Sequence, residues 1–260
     1  MLEEAERTPT RKRTMATANP AMNEDVYNRV LDDTRSTSAM TMTGSVVKSA
    51  LLVAILLVTG GYTWSLAAGE SGVSTGLLIA GGLGGFITAL VTILFPKASP
   101  ITAPIYAALE GIVLGAVSAF FEARYPGIVF QAVGLSIGVL TMMLFLYGTG
   151  IIRVTQKFMI GVAAATGAIA LVYIVDIVAR MFGSGIPYIH ESGLVGIGFS
   201  LVVVGIAALN LILDFDFIHQ GVRRRAPKYM EWYAGFSLLV TLVWMYLEIL
   251  RLLAKLRGRD

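Results

Sequence analysis

Seven apolar runs, each of roughly 19–25 residues, divide this chain, and one helix needs about 20 such residues to cross a bilayer. They extend from about Val46 to Ala67, Thr75 to Leu94, Ala103 to Phe121, Ile128 to Tyr147, Phe158 to Met181, Gly193 to Phe217, and Trp232 to Leu253. Turn signals separate them: GESG, FPKASP, ARYPG, FGSGIP and the region of Pro227. None alternates with period two, as the strands of a membrane β-barrel would. The expected fold is therefore an all-α integral membrane protein, a seven-transmembrane-helix bundle over residues 43–256.

Composition agrees. Only 14% of residues are charged, against about a quarter in a soluble domain, and charge concentrates in residues 1–42. That segment is polar and mixed in charge, and it lacks the apolar stretch of a signal peptide. It reads as a disordered tail with a short helix around Glu24–Asp33, and residues 257–260 as a short C-terminal tail. No cysteine and only two histidines exclude disulfides and argue against structural zinc. The net charge of +3 comes from basic residues at segment ends, a topology marker and not a nucleic-acid surface.

Those basic residues orient the chain. With the N-terminus in the cytoplasm, interior loops hold Lys97, Arg153, Lys157, Arg223, Arg224, Arg225 and Lys228, and exterior loops hold Arg124 and Arg180. The tail adds Arg7, Arg11, Lys12, Arg13, Arg29 and Arg35 to the interior, which fits the positive-inside rule. The C-terminal Arg251, Lys255, Arg257 and Arg259 disagree. Either the last segment crosses against the rule, or it is re-entrant. Seven crossings are expected, in a bacterial plasma membrane.

Five acids fall within the apolar runs: Glu110, Asp176, Asp214, Asp216 and Glu248. A carboxylate at mid-membrane costs roughly 2.5–3.5 kcal/mol on insertion scales, so each needs a partner or water. Asp176 precedes Arg180 by four residues and Glu248 precedes Arg251 by three, so same-face ion pairs are available. Asn210 stands four residues before Asp214, and His219 lies near Asp216. Glu110 has no basic neighbour within four residues. Counted from the segment ends, Glu110 and Asp214 share an inner level, and Asp176 and Glu248 an outer one. Two acid layers are candidate rungs of a cation or proton path. Burial and a neighbouring acid both favour the protonated form of a carboxyl, so a pH-sensitive gate is expected.

The loop HQGVRRRAPK offers Arg223, Arg224 and Arg225 as an anionic-lipid contact or a gating latch, or as a topology marker alone. His190, in IPYIHESG, has no evident ligand partner. Small residues four apart, Gly81 with Gly85 and Gly111 with Gly115, allow close helix approach, read as bundle packing before a dimer face. No P-loop, GxSxG or HExxH is present, and no enzyme activity is expected.

Three stretches, APIYAALEGIVLGAVSAFFE, ALNLILDFDFI and WMYLEILRLLAKL, together resemble the Bax inhibitor-one family, the transmembrane BAX inhibitor motif proteins, in its bacterial branch. The resemblance covers roughly residues 45–256. It implies a seven-helix bundle and a pH-sensitive calcium leak, sensed by two acids on the last two helices near the cytoplasmic side. Carried over, those acids fall on Asp214 (or Asp216) and on Glu248, which would also be weak calcium ligands. Two departures stand out. Asp214 and Glu248 are farther apart in sequence than such a pair usually is, and the second segment lacks the basic residue that some relatives set against the acids.

The expected function is a pH-responsive calcium or cation leak. The alternative is a non-conducting membrane protein that regulates a protease or stress response through membrane-protein partners. Neither reading calls for a resident cofactor. Both place the chain against lipid.

Overall fold

A computed structural model describes residues 39–69, 73–183 and 193–258. It contains seven long helices: α1 (Met42–Ala68), α2 (Thr75–Leu94), α3 (Ser99–Arg124), α4 (Ile128–Gly148), α5 (Gln156–Met181), α6 (Leu194–Arg223) and α7 (Met230–Arg257). A 3-10 turn, Pro96–Ala98, joins α2 to α3. All seven are long and apolar enough to span a membrane. Each apolar run of the sequence thus became one helix, as hydrocarbon demands when every backbone polar group needs an internal partner.

The helices outrun their apolar stretches, because hydropathy marks the hydrocarbon segment and not the end of backbone hydrogen bonding. α3 starts at Ser99 with Pro100 in its first turn, where a missing N–H costs nothing. α6 continues through the polar DFDFIHQGVR to Arg223. Caps set several other ends. Thr41, Ser74 and Thr155 accept the N–H of Gly44, Leu77 and Phe158 at the starts of α1, α2 and α5. At the start of α4 Glu122 takes that role from the preceding helix, accepting from Gly127 N at 2.5 Å and Val129 N at 3.1 Å. Gly127 makes that turn at φ +80°.

α7 is the central helix, packed against α1, α3, α4 and α6, whereas α5 leans on α6. Leu52, Leu211, Met245 and Leu250 are fully buried around it, and Tyr106 meets Phe236 edge-on. α1 and α3 touch through their glycines: a Cβ on Gly115 would lie 2.9 Å from the Gly60 Cα, and one on Gly111 3.1 Å from the Leu56 Cα. Gly81 similarly faces Leu109, Ile112 and Val113 of α3. Both glycine pairs therefore serve contacts inside the bundle.

The two ends of the bundle are distinct. At the first end Met40 N donates to Ala226 O at 2.7 Å, Ala39 bridges Pro227, and the Ser99 hydroxyl donates to Tyr229 O at 3.0 Å. At the second end the Arg257 guanidinium donates to Pro126 O at 2.8 Å and Gln131 Oε1 at 2.9 Å. α7 therefore traverses the bundle in one unbroken helix of 28 residues, ~42 Å at 1.5 Å per residue. It is one continuous helix long and apolar enough to cross, without the turn that a re-entrant loop needs. Ahead of α1, Met40 is fastened to Ala226 of the α6–α7 loop and Thr41 to Glu231 at the start of α7. The helix expected over Glu24–Asp33, the rest of the tail, and His190 lie outside the described residues.

Candidate functional site

At the first end a cavity of about 600 Å³ opens between α5, α6, α7 and the Met40 segment. Asp214, Asp216 and Gln220 of α6 line it, with Arg224 just past the helix end, Ser237 of α7 opposite and Met40 against one side. The side chain of Met40 rests on Gly221, where a Cβ would come within 2.7 Å of its sulfur. The long α6 makes this arrangement. Its continuation to Arg223 leaves Asp214 nine residues from the helix end, ~14 Å deep, where the apolar stretch alone suggested about 5 Å.

Asp214 is 7% exposed. Its Oδ1 accepts from the Ser237 hydroxyl at 2.6 Å, and its Oδ2 is buried without a hydrogen bond. A buried carboxyl oxygen left unpaired is costly, so this group is held at the expense of stability. Asn210 does not serve it; the Asn210 amide donates to Thr166 Oγ1 at 2.8 Å and to Ile206 O at 2.9 Å. Asp216 sits half-buried two residues on, accepting from Gln220 at 2.5 Å and from the Tyr147 hydroxyl at 3.3 Å. Gln220 in turn accepts from Arg224 at 3.0 Å. Arg224 therefore reaches the acid through Gln220, while Arg223 and Arg225 stay exposed and His219 is exposed beside them.

The second end carries its own ionic cluster. Glu248 is fully buried and accepts from Arg251 at 2.7 Å and from the Tyr173 hydroxyl of α5 at 2.8 Å, with Oε2 unpaired. Asp176, also buried, pairs with Arg180 at 2.8 Å. Lys255, 8% exposed, donates to Gly196 O at 3.0 Å and Ser200 Oγ at 2.8 Å of α6. Both same-face ion pairs expected from spacing are thus present.

Between the two ends polar side chains recur on α6 and α7 with apolar residues separating them. On α6 these are Asp214, Asn210 and Ser200, with Ala207 and Val203 buried between the last two; on α7 they are Ser237, Thr241, Glu248 and Lys255, with Trp244 and Met245 between Thr241 and Glu248. Thr166 and Tyr173 of α5 attach to these residues through Asn210 and Glu248. Leu211 and Met245 are fully buried.

The expected pairings of Asp214 do not form. Ser237, its partner, is eleven residues from Glu248 on the same helix, ~16 Å apart along the axis. α6 does extend past Gly221, but α7 begins at Met230, so the levels never coincide. Asp214 and Glu248 therefore cannot hold one calcium ion between them. Glu110 lies on a different face, between α3 and α2, where a Cβ on Gly85 would stand 3.5 Å from its Oε2. Among the described residues no group of three or more His, Asp or Glu converges as a metal site.

One buried acid escaped the sequence reading. Glu231 is fully buried at the first end, paired with Lys228 at 2.7 Å and accepting from both the N–H and the hydroxyl of Thr41 at 2.9 Å. Gly44 is there because its missing Cβ leaves room for that carboxylate. The spacing of Lys228 and Glu231 was visible, but the Thr41 partner, 190 residues away, was not.

Fold and polar sites together define a multi-pass helical membrane protein with an acid-lined cavity at one end and an ion-pair cluster at the other. The family model described as Bax inhibitor 1 like matches residues 5–258, and the chain belongs to that family. The match extends into the N-terminal tail, beyond the stretch on which the resemblance was drawn. No curated protein and no solved structure matches the chain.

Proposed function

We propose that this protein is a cation leak, with calcium as the physiological ion, in which Asp214 gates passage along the α6–α7 interface in response to pH. The observation that carries the reading is the cavity lined by Asp214 and Asp216, beyond which polar residues recur at intervals, Asn210 and Thr241 among them, toward the Glu248 cluster, with the apolar Ala207, Val203 and Met245 filling the interval in the closed state. Asp214 and Asp216 offer carboxylates to a hydrated cation entering the cavity. Calcium takes about six to eight oxygen ligands, and two aspartates supply too few for tight retention, which suits passage over storage. The cavity end faces the cytoplasm of a bacterial plasma membrane in this reading, in keeping with the basic residues of its loops.

Calcium entry into dye-loaded proteoliposomes, measured between about pH 6 and pH 8, tests the proposal, since a group gating in that range changes charge there. Wild-type flux should vary with pH, and Asp214→Asn should flatten the variation. Pore-free behaviour at every pH would instead favour a non-conducting partner of a membrane protease or stress regulator. A pH response that survives intact in Asp214→Asn would remove this residue as the sensor.

A further inference from the structure

A second cavity, of about 400 Å³, lies on the opposite half of the bundle between α1 and α4. These two helices pack on α3 and α7 and not on one another, so a lateral slot is left between them. Its walls run from Val53 to Trp64 on α1 and from Val129 to Leu140 on α4. Leu114, Ser118, Leu239 and Tyr246 form the floor. We propose that this slot binds one acyl chain of a membrane phospholipid from the leaflet at the second end.

Three observations point to that occupant. First, the lining is almost wholly apolar, with Trp64 at the interfacial end of the slot. The hydroxyls of Ser118 and Tyr246 bond one another at 2.7 Å, and that of Ser136 donates to Ala132 O at 2.8 Å. Second, length and depth match. Each wall covers eleven residue steps, ~16 Å, and half of a ~30 Å hydrocarbon core is about the same. The wall of α4 starts one residue inside the helix at the second end and stops near mid-membrane. A chain entering from that interface would lie along the slot to its methyl end. Third, the α1 wall leaves open space at Gly61. A Cβ on Gly61 would meet nothing within 4 Å, whereas its neighbour Gly60 is spent on the contact with α3. In a bilayer an apolar recess open to the side meets hydrocarbon before any other solute.

The test uses the full chain in vesicles of phosphatidylcholine bearing a photoactivatable diazirine at mid-chain. After irradiation, cross-links should appear at the floor residues Leu114, Ser118, Leu239 and Tyr246 themselves, all buried from bulk lipid, and not only at the exposed Val240 of the same stretch. Gly61→Phe fills the slot from its open side and should cut floor labelling at least fivefold while sparing Val58 and Phe130, which face outward. Labelling confined to outward faces in the wild type would overturn the proposal, and so would floor labelling unchanged in Gly61→Phe. Should that variant fail to fold, the wild-type map alone decides.

Discussion

Ser237→Ala isolates the bond that ties α6 to α7 at the candidate gate. The Ser237 hydroxyl is the donor to Asp214 Oδ1 at 2.6 Å, and Oδ2 already lacks a partner. Removing the hydroxyl strips the buried carboxyl of that bond and adds no bulk. A hydrogen bond to a charged group is worth about 1.5–3 kcal/mol, and 1.4 kcal/mol is a factor of ten. The balance between packed and separated α6–α7 should therefore shift by one to two orders of magnitude. Thr141→Ala is the control, since its exposed hydroxyl donates to Ile137 O within α4, away from the gate. The assay is twofold: calcium entry into proteoliposomes, and thermal unfolding in detergent. Ser237→Ala should raise resting flux at least several-fold and lower the midpoint, with Thr141→Ala close to wild type. If the two variants cannot be told apart in either measurement, the bond is not a latch and the reasoning fails.

Two further outcomes follow from the geometry. Asp214→Asn and Glu248→Gln should be additive in stability, because groups ~16 Å apart with no shared partner rarely couple by more than about 0.5 kcal/mol; a double-mutant cycle with coupling above 1 kcal/mol would restore the pairing that the resemblance implies. Gly115→Ala should destabilise by about 1–3 kcal/mol relative to Gly61→Ala, because its Cβ meets the Gly60 backbone while Gly61 faces open space; equal unfolding midpoints would contradict the α1–α3 contact.

The fold was legible because hydrocarbon thickness leaves a strong mark on sequence: every apolar run long enough to cross became a helix. The ion pairs were legible for a local reason. Asp176 with Arg180 and Glu248 with Arg251 are one helical turn apart, and spacing alone places them together. What could not be read was depth. Apolar length located the end of α6 near Phe217, while the helix continues to Arg223 through polar residues and Gly221, which hydropathy does not mark as helical. That difference of six residues, ~9 Å or under two turns, set Asp214 deeper from the helix end and changed its partner. The long-range contacts were equally hidden. Nothing in a local window links Thr41 to Glu231 or Tyr173 to Glu248, because these depend on which helices become neighbours. Glu110 drew attention for lacking a nearby base, yet it faces α2 and stands apart from the other acids.

A serine opposite Asp214, where an acid was expected, alters what kind of sensor this cavity can be. Two carboxyls sharing a proton titrate as a unit in two separated steps, and the second charge resists the first. One carboxyl facing a hydroxyl has no such partner; Asp216, two residues on, spends its oxygens on Gln220 and Tyr147. The pH dependence of flux should therefore follow a single proton. About 80% of the change should fall within roughly two pH units, with a Hill slope near one, as for any isolated group. Replacing Ser237 by Asp would install the missing acid and should split the curve or displace its midpoint by more than about one unit, the size expected for two acids sharing a site. A wild-type curve that already shows two steps would mean that another acid titrates with Asp214, and Asp216→Asn would then identify it.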